Sequence, residues 1–259
     1  MKSNEAGRVY VQKLEEAVKT IRNKVQKIPK HLIVLGSGLG GLVDALDVEA
    51  LLPYKDIPNF PFTATDGHAG NLVVGSLNGV RIAAFQGRVH CHDGYNTQEV
   101  AFGVRVMAMA GVENVVVTNA SGGLSDKHKV GDLMLITNHL SFFLNRDPSQ
   151  DLIHEELGEK FYPHTHPFSE ELIEKFSKLG NENNITVHKG IYCYLPGPRY
   201  ESAYEVKFLK QMGVDAIGMS TVPEVLAICQ RNTAKSQKKK IKVIGIATIT
   251  NVAAGLSDA

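Results

Sequence analysis

The sequence predicts an α/β fold, a single domain spanning residues 1–259 with a mixed, twisted central sheet flanked by helices. Three observations lead there. Short apolar runs recur along the chain with helix-period segments between them. The first segment is a long amphipathic stripe, and several apolar runs end in glycine-rich stretches, where open α/β sheets hold their ligands.

Taken in order, residues 4–27 set Val11, Leu14, Val18, Ile21 and Val25 at three- and four-residue spacing, which predicts a helix within the N-terminal residues 1–28 that lays one stripe on the body. Strands are expected over 31–35, 72–77, 80–85, 114–118, 132–137, 187–194, 215–218 and 242–250. Asn78-Gly79 joins the second and third as a hairpin turn, because both residue types tolerate positive φ. Helices are expected over 97–110, 168–180, 201–212 and 222–231. No linker composition, repeat or low-complexity tract divides the chain. The run Lys235-Ser236-Gln237-Lys238-Lys239-Lys240 reads as a solvated loop between a helix and a strand.

Charge excludes some functions. With 28 Lys+Arg against 27 Asp+Glu, no net field recruits nucleic acid or a membrane surface. There is no leader pattern and no apolar run of bilayer length, so a cytoplasmic, soluble protein is expected. Cys91, Cys193 and Cys229 are far apart and lack CxxC spacing, which supports neither a disulfide framework nor a zinc cluster. His164 and His166, in YPHTHP, are flanked by prolines and read as a loop rather than a ligand pair.

HLIVLGSGLGG, residues 31–41, matches the G-x-G-x-x-G dinucleotide fingerprint. That fold also needs an acidic side chain at the end of a second strand, about 20 residues on, to hold the ribose hydroxyls. The corresponding stretch, LLPYKDIPNFPF, is proline-rich, and Asp56 does not end a strand after a crossover helix. What survives is local: backbone N–H groups and the Ser37 hydroxyl at a helix N-terminus would make an anion site, most simply for phosphate. A plain tight turn is the alternative.

Other stretches add anion-binding groups. GHAGN (67–71) and QGRVHCHDGY (86–95) offer His68, Arg88, His90 and His92 close to glycines. Arg88 and His90 alternate, so on extended backbone they face one side, where guanidinium and imidazole suit a shared oxyanion; a histidine-rich surface loop fits equally. VTNASGGL, after strand 114–118, reads as a third glycine turn in which Ala120 and its small neighbours let a ligand approach the backbone.

GSGLGG, GHAGNLVVG, GRVHCHDGY, TNASGGL, GDLMLITNH, GPRYES, GMSTVPEV and ITNVAAG stand in the order and register of the trimeric purine nucleoside phosphorylases, the family that includes methylthioadenosine phosphorylase. The resemblance runs from about residue 31 to the C-terminus. It implies a nucleoside phosphorylase fold, a homotrimer, and phosphorolysis of purine nucleosides to free base and ribose 1-phosphate, with phosphate as co-substrate and no metal or organic cofactor. It further implies that Ser37, His68, Arg88, His90, the Ala120 backbone and Ser220 hold phosphate, and that His92 lies near the ribose, where many relatives carry tyrosine. Glu201 would accept the purine N1–H, with Tyr200 and Met219 packing on base and ribose. Asn251, beside Thr250, would hydrogen-bond O6 and N7 as the base leaves. Asn251, His90 and Glu201 are thus the expected catalytic residues. Each has a plain alternative: Glu201 as a carboxylate facing a helix dipole, Ser220 as an N-cap, Asn251 as a turn former.

Within that resemblance, Glu201 and Asn251 favour 6-oxopurines such as inosine and guanosine, since adenine offers no N1–H; the methylthioadenosine branch replaces both. Arg199 is closer to that branch. Residues 141–168 follow the family loosely; relatives use this region to lend an aromatic to a neighbouring subunit, which draws attention to Phe142 and Phe143. Relatives continue past GLSDA into a helix whose histidine meets the 5′-hydroxyl, and this C-terminal helix is expected to be absent from the 259 residues. The rivals are methylthioadenosine phosphorolysis, a dinucleotide-dependent oxidoreductase and a non-catalytic purine binder.

Overall fold

The computed structural model describes residues 3–62, 69–144 and 146–253. Helix α1 (Glu5–Lys24) starts where the Asn4 side chain accepts the Gly7 N–H, and its stripe of Val11, Leu14, Val18 and Ile21 is buried. It lies against α3, introduced below, through an edge-on contact of Tyr10 with Phe102, ring centroids 5.8 Å apart. Strand β1 (His31–Leu35) follows, and then, across a glycine turn, the edge strand β2 (Asp47–Pro53).

Strands β3 (Asn71–Leu77) and β4 (Val80–Gln86) form the expected hairpin, with Asn78 and Gly79 at φ of 49° and 79°, the two positive values a type I′ turn requires. The predicted helix 97–110 is two helices, α2 (Thr97–Val100) and α3 (Phe102–Ala110), meeting at Ala101. Strand β5 (Asn114–Gly123) is central, followed by β6 (Leu133–Leu140), α4 (Glu170–Glu182), β7 (Val187–Tyr194), α5 (Ala203–Gln211), β8 (Ala216–Gly218), α6 (Val222–Arg231) and β9 (Lys242–Val252).

The sheet runs β2-β3-β4-β1-β5-β8-β7-β6-β9. It is mixed: β1 pairs in parallel with β4 and β5, while β3 is antiparallel to both β2 and β4. Strand β9 pairs with β6 and also, in parallel, with β5, so β5, β8, β7, β6 and β9 close on themselves into a small barrel. Closure brings the carboxyl ends of β5 and β9 side by side, with Gly122 opposite Asn251.

Two expectations are corrected. The segment after residue 118 is no turn: Asn119–Gly123 stay in the sheet, held by β9 on one side and by β8 at Gly122 and Gly123 on the other. Strand β2 goes unseen in the sequence because it is an edge strand with one well-buried residue, Leu52, and a proline at its end. The dinucleotide reading loses its frame at the same place. After the glycine turn comes a short 3₁₀ helix, Gly40–Ala45, and an antiparallel edge strand, not a crossover helix and a parallel neighbour.

Candidate active site

Strand ends set the site. Gly36, just past β1, packs so closely on β5 that a methyl in place of its hydrogen would lie 2.7 Å from the Thr118 carbonyl oxygen and 2.8 Å from the Asn119 Cα. Its N–H donates to Thr118 Oγ1 at 3.0 Å, and that hydroxyl donates to Val34 O at 2.9 Å. Ser37 is therefore presented, exposed, at the mouth of the β1–β5 junction, and Gly38 turns the chain with φ of 79°. The expected helix N-terminus at Ser37 is absent. The 3₁₀ helix begins only at Gly40 and is six residues long, too short for the dipole assigned to it.

Arg88 leaves the end of β4 and goes inward. It is 5% exposed, with Nη1 3.0 Å from Glu224 Oε2 and 3.5 Å from Thr221 Oγ1, while Nη2 donates to the carbonyls of Val34 and Thr118. Burial pushes the Glu224 carboxyl up, and Arg88 and the Thr221 N–H oppose this. The pair anchors Thr221 beneath Ser220. Thr221 holds φ of 76°, an outlier for a β-branched residue, and is pinned by Asn119 Nδ2 at 2.8 Å and by its N–H on Glu224 at 3.1 Å. Ser220 is buried, and its carbonyl accepts from the Tyr192 hydroxyl at 3.2 Å.

His90 is 8% exposed, and its backbone N–H donates to Asp93 Oδ2 at 2.9 Å. Its ring stacks on His92, centroids 4.7 Å apart and planes 13° apart. Among the described residues, His90, His92 and Asp93 are the one trio of metal-ligating side chains in mutual reach. Stacked rings, however, aim their in-plane lone pairs side by side rather than at one point, a poor start for tetrahedral ligation.

The second half of the site faces this one. Gly197 is wedged between Met219 and His92: a methyl on it would lie 2.5 Å from Met219 Sδ and 3.2 Å from His92 Nδ1. The same loop carries Glu201, which lines a cavity of about 370 Å³ together with Phe142, Phe143, Leu195 and Arg199. Burial raises the Glu201 pKa, with Glu205 adding to the rise and Arg199 opposing it. Asn251 lies on β9, its Nδ2 about 3.4 Å from where a Gly122 side chain would begin, and its Oδ1 accepts from Thr250 Oγ1 at 3.0 Å. Thr250 Oγ1 also reaches Ser121 O at 3.3 Å.

Arg88 and Ser220 both meet Thr221, His90 stacks on His92, His92 and Met219 flank Gly197 of the Glu201 cavity, and Thr250 and Asn251 stand beside Ser121 and Gly122; Ser37 lies just past the end of β1 and Ala120 within β5. Tyr200 is 78% exposed and is not among the residues that line this cavity. His68 lies outside the described residues, as does the GLSDA terminus. Phe142 and Phe143 line their own chain's cavity. Two plain alternatives fall away, since Thr221 rather than Ser220 caps α6 and Asn251 is in a strand, while Glu201 stands one residue before the Ser202 cap of α5. Sequence reading missed Thr118, Asn119, Thr221 and Glu224. The one signal for them is the capping-box spacing of Thr221 and Glu224 in TVPE.

The three free cysteines make no disulfide; Cys193 and Cys229 are buried, Cys91 half-buried. His164 and His166 are exposed on a loop. Among the described residues, no helix is long and apolar enough to cross a membrane.

Comparison with known proteins gives the arrangement its context. The family model described as the phosphorylase superfamily matches residues 30–259. Purine nucleoside phosphorylase 1 of Bacillus subtilis is 40% identical over 246 residues, covering 95% of this chain and 88% of the relative. The purine nucleoside phosphorylase of Bos taurus is 36% identical over 243 residues, 92% of this chain and 81% of the relative. A crystal structure of the Schistosoma mansoni purine nucleoside phosphorylase with inosine is 31% identical, with a TM-score of 0.87 over 96% of this chain and 87% of that one. That of isoform 2 from the same organism, with cytosine and ribose-1-phosphate, is 37% identical with a TM-score of 0.84, covering 93% of this chain and 83% of that one. A mixed sheet closed by β9 and these likenesses over most of its length agree: the chain belongs to the phosphorylase superfamily, among the purine nucleoside phosphorylases.

Proposed function

We propose that this chain cleaves 6-oxopurine nucleosides such as inosine and guanosine with inorganic phosphate, giving free base and ribose 1-phosphate in cytoplasmic purine salvage. The observation that supports this most is the joining of two unlike halves through His90, His92 and Gly197. One is polar and buried, built on Ser220, Thr221, Arg88 and His90; the other is an open cavity walled by aromatics and a half-buried carboxylate. The first suits an oxyanion, the second a flat heterocycle, and Met219 and His92 meet at Gly197, which lines that cavity.

In this reading Ser37, Arg88, His90, the Ala120 backbone and Ser220 hold phosphate, with His68 added on family resemblance. The Arg88–Glu224 contact fixes the guanidinium below the Ser220–Thr221 turn, so the anion meets donors already in place. As the glycosidic bond lengthens, positive charge grows on the ribose and negative charge moves to the purine. Phosphate stabilises the first. Asn251, donating near N7, stabilises the second, and ionised Glu201 accepts the N1–H. All of this is side-chain and backbone hydrogen bonding, so no organic cofactor or metal is required. His92 and Met219 border the ribose.

Arg199 in the cavity wall is the one feature that favours a second reading, methylthioadenosine. Relative turnover of inosine and methylthioadenosine decides between them. The assembly we propose is a homotrimer. Tyr204, Phe208 and Met212 follow one another at a helical turn's spacing along α5, 80%, 47% and 52% exposed, an apolar stripe that a second copy would cover. The deciding experiment is release of hypoxanthine from inosine with and without phosphate. Release only with phosphate is expected; release without it would replace phosphorolysis by hydrolysis.

A further inference from the structure

The loop that carries Glu201 is held by a pair of charges on its outer side. Arg199 donates through Nη2 to Glu205 Oε1 at 2.7 Å and through Nη1 to Glu205 Oε2 at 2.9 Å, a two-pronged contact across the first turn of α5. Both partners also reach the backbone. Arg199 Nη1 donates to the Tyr200 carbonyl at 3.2 Å, and Glu205 Oε2 accepts the Ser202 N–H at 2.8 Å. Those two backbone groups belong to the peptide units on either side of the Glu201 Cα. Pinning both restrains the φ and ψ of Glu201, and with them the direction in which its side chain leaves the backbone.

We propose that Arg199 and Glu205 are positioning residues for base recognition: their forked ion pair holds the peptide units flanking Glu201 so that its carboxylate faces the cavity. The inference rests on the reading of Glu201 as the group that meets the base. Alternative uses of the pair carry less. Arg199 is 73% and Glu205 37% exposed along the side chain, so as a stability device the pair is screened by water and salt. As a geometric device it retains its value, since a planar guanidinium on both carboxylate oxygens sets direction as well as distance.

The pair also sets charge around Glu201. The groups facing that carboxyl are Glu205 from α5, Arg199 from its own loop and the Cys193 thiol from β7, whose pKa burial and Glu201 push up to about 12. Arg199 is the only cation among them. Replacing it with a neutral residue removes the one cation that favours ionised Glu201 and leaves burial and Glu205, which oppose ionisation.

The test compares Arg199→Gln, Arg199→Lys, Glu205→Gln and the Arg199→Gln/Glu205→Gln double variant with the parent chain. For Arg199→Gln and Glu205→Gln the KM for inosine should rise roughly tenfold, as expected for a misaimed rather than deleted group, with the KM for phosphate and the thermal midpoint unchanged. The double variant should be no worse than either single change, since each breaks the same fork. In Arg199→Gln the acid limb of kcat/KM for inosine should move to higher pH. Arg199→Lys keeps the charge but cannot fork, so it should restore the limb and not the KM. Hypoxanthine affinity by calorimetry gives the same comparison without turnover. A parent that binds hypoxanthine but does not turn over overturns phosphorolysis and leaves the positioning role judged on affinity. Parent-like KM and affinity in both single variants, inosine and phosphate KM rising together, or additive losses in the double variant would overturn it.

Discussion

The Glu201 carboxyl is half-buried, and burial raises its pKa above the usual range. Its ionised form is the strong, charge-assisted acceptor for an N1–H, and the protonated acid keeps only a weaker carbonyl acceptor. As pH falls through that raised value, the strong acceptor is lost and kcat/KM for inosine declines; above it the profile is flat on this account. Glu201→Gln should flatten this acid limb and lower kcat/KM throughout, which a pH–rate profile of the free enzyme reads directly. Asn251→Ala should lower kcat about 10²–10³-fold, the usual cost of one donor aimed at developing charge, with the KM for phosphate little changed. Glu224 differs from both. It is 3% exposed against Arg88, so Glu224→Ala strands a buried cation and should cost about 3–5 kcal/mol in urea unfolding. None of Glu224, Thr221 or Asn119 stands out in the sequence as more than a cap or a strand residue. A polar side chain acquires its meaning from what surrounds it once it is buried, and those neighbours come from β4, β5 and α6 together.

Elements explain why the rim holds its shape. Gly36 is the closest approach between β1 and β5, and the atoms in the way of a side chain are backbone, which cannot swing aside. Gly36→Ala should push Ser37 off the β5 edge and raise the KM for phosphate more than that for inosine, as steady-state kinetics with each substrate varied will report. Helix α5 is capped reciprocally by Ser202 and Glu205, and loss of the Ser202 hydroxyl, Ser202→Ala, should cost about 1 kcal/mol of stability by thermal or urea unfolding. Elements were also the most legible level of the chain. β1, β7 and α6 stand at the residues their apolar patterns mark; the two strands are buried over much of their length and α6 is buried on every side. Strand β2 is invisible because an exposed edge needs no apolar alternation, and Asn119–Gly123 look like a turn because small residues are as necessary in a crowded strand as in a bend.

At the scale of the whole molecule, β9 pairs with both β5 and β6, drawing five strands into a closed ring and setting Asn251 beside Gly122. The strand ends that carry Ser121, Gly122, Thr250 and Asn251 are therefore built on one closed unit. Phosphate binding to the folded state alone should raise the thermal midpoint in proportion to the logarithm of its concentration, worth about 2.7 kcal/mol at a hundred times Kd. The α5 stripe and the proposed trimer make a second prediction: the parent chain should sediment as a trimer and Phe208→Glu as smaller species. By itself the sequence determined the α/β class, most of the strands and helices, and, through eight ordered motifs, the chemistry to look for; periodicity and turn chemistry are local, and local rules reach that far. Only the tertiary structure decided that the sheet closes, that Arg88 turns inward to Glu224, that Tyr200 is exposed while Glu201 lines the cavity, and that Arg199 and Glu205 brace the loop between them. Those outcomes depend on which distant strand or side chain arrives as neighbour, and pairing between segments far apart in the chain is energy that no local pattern encodes.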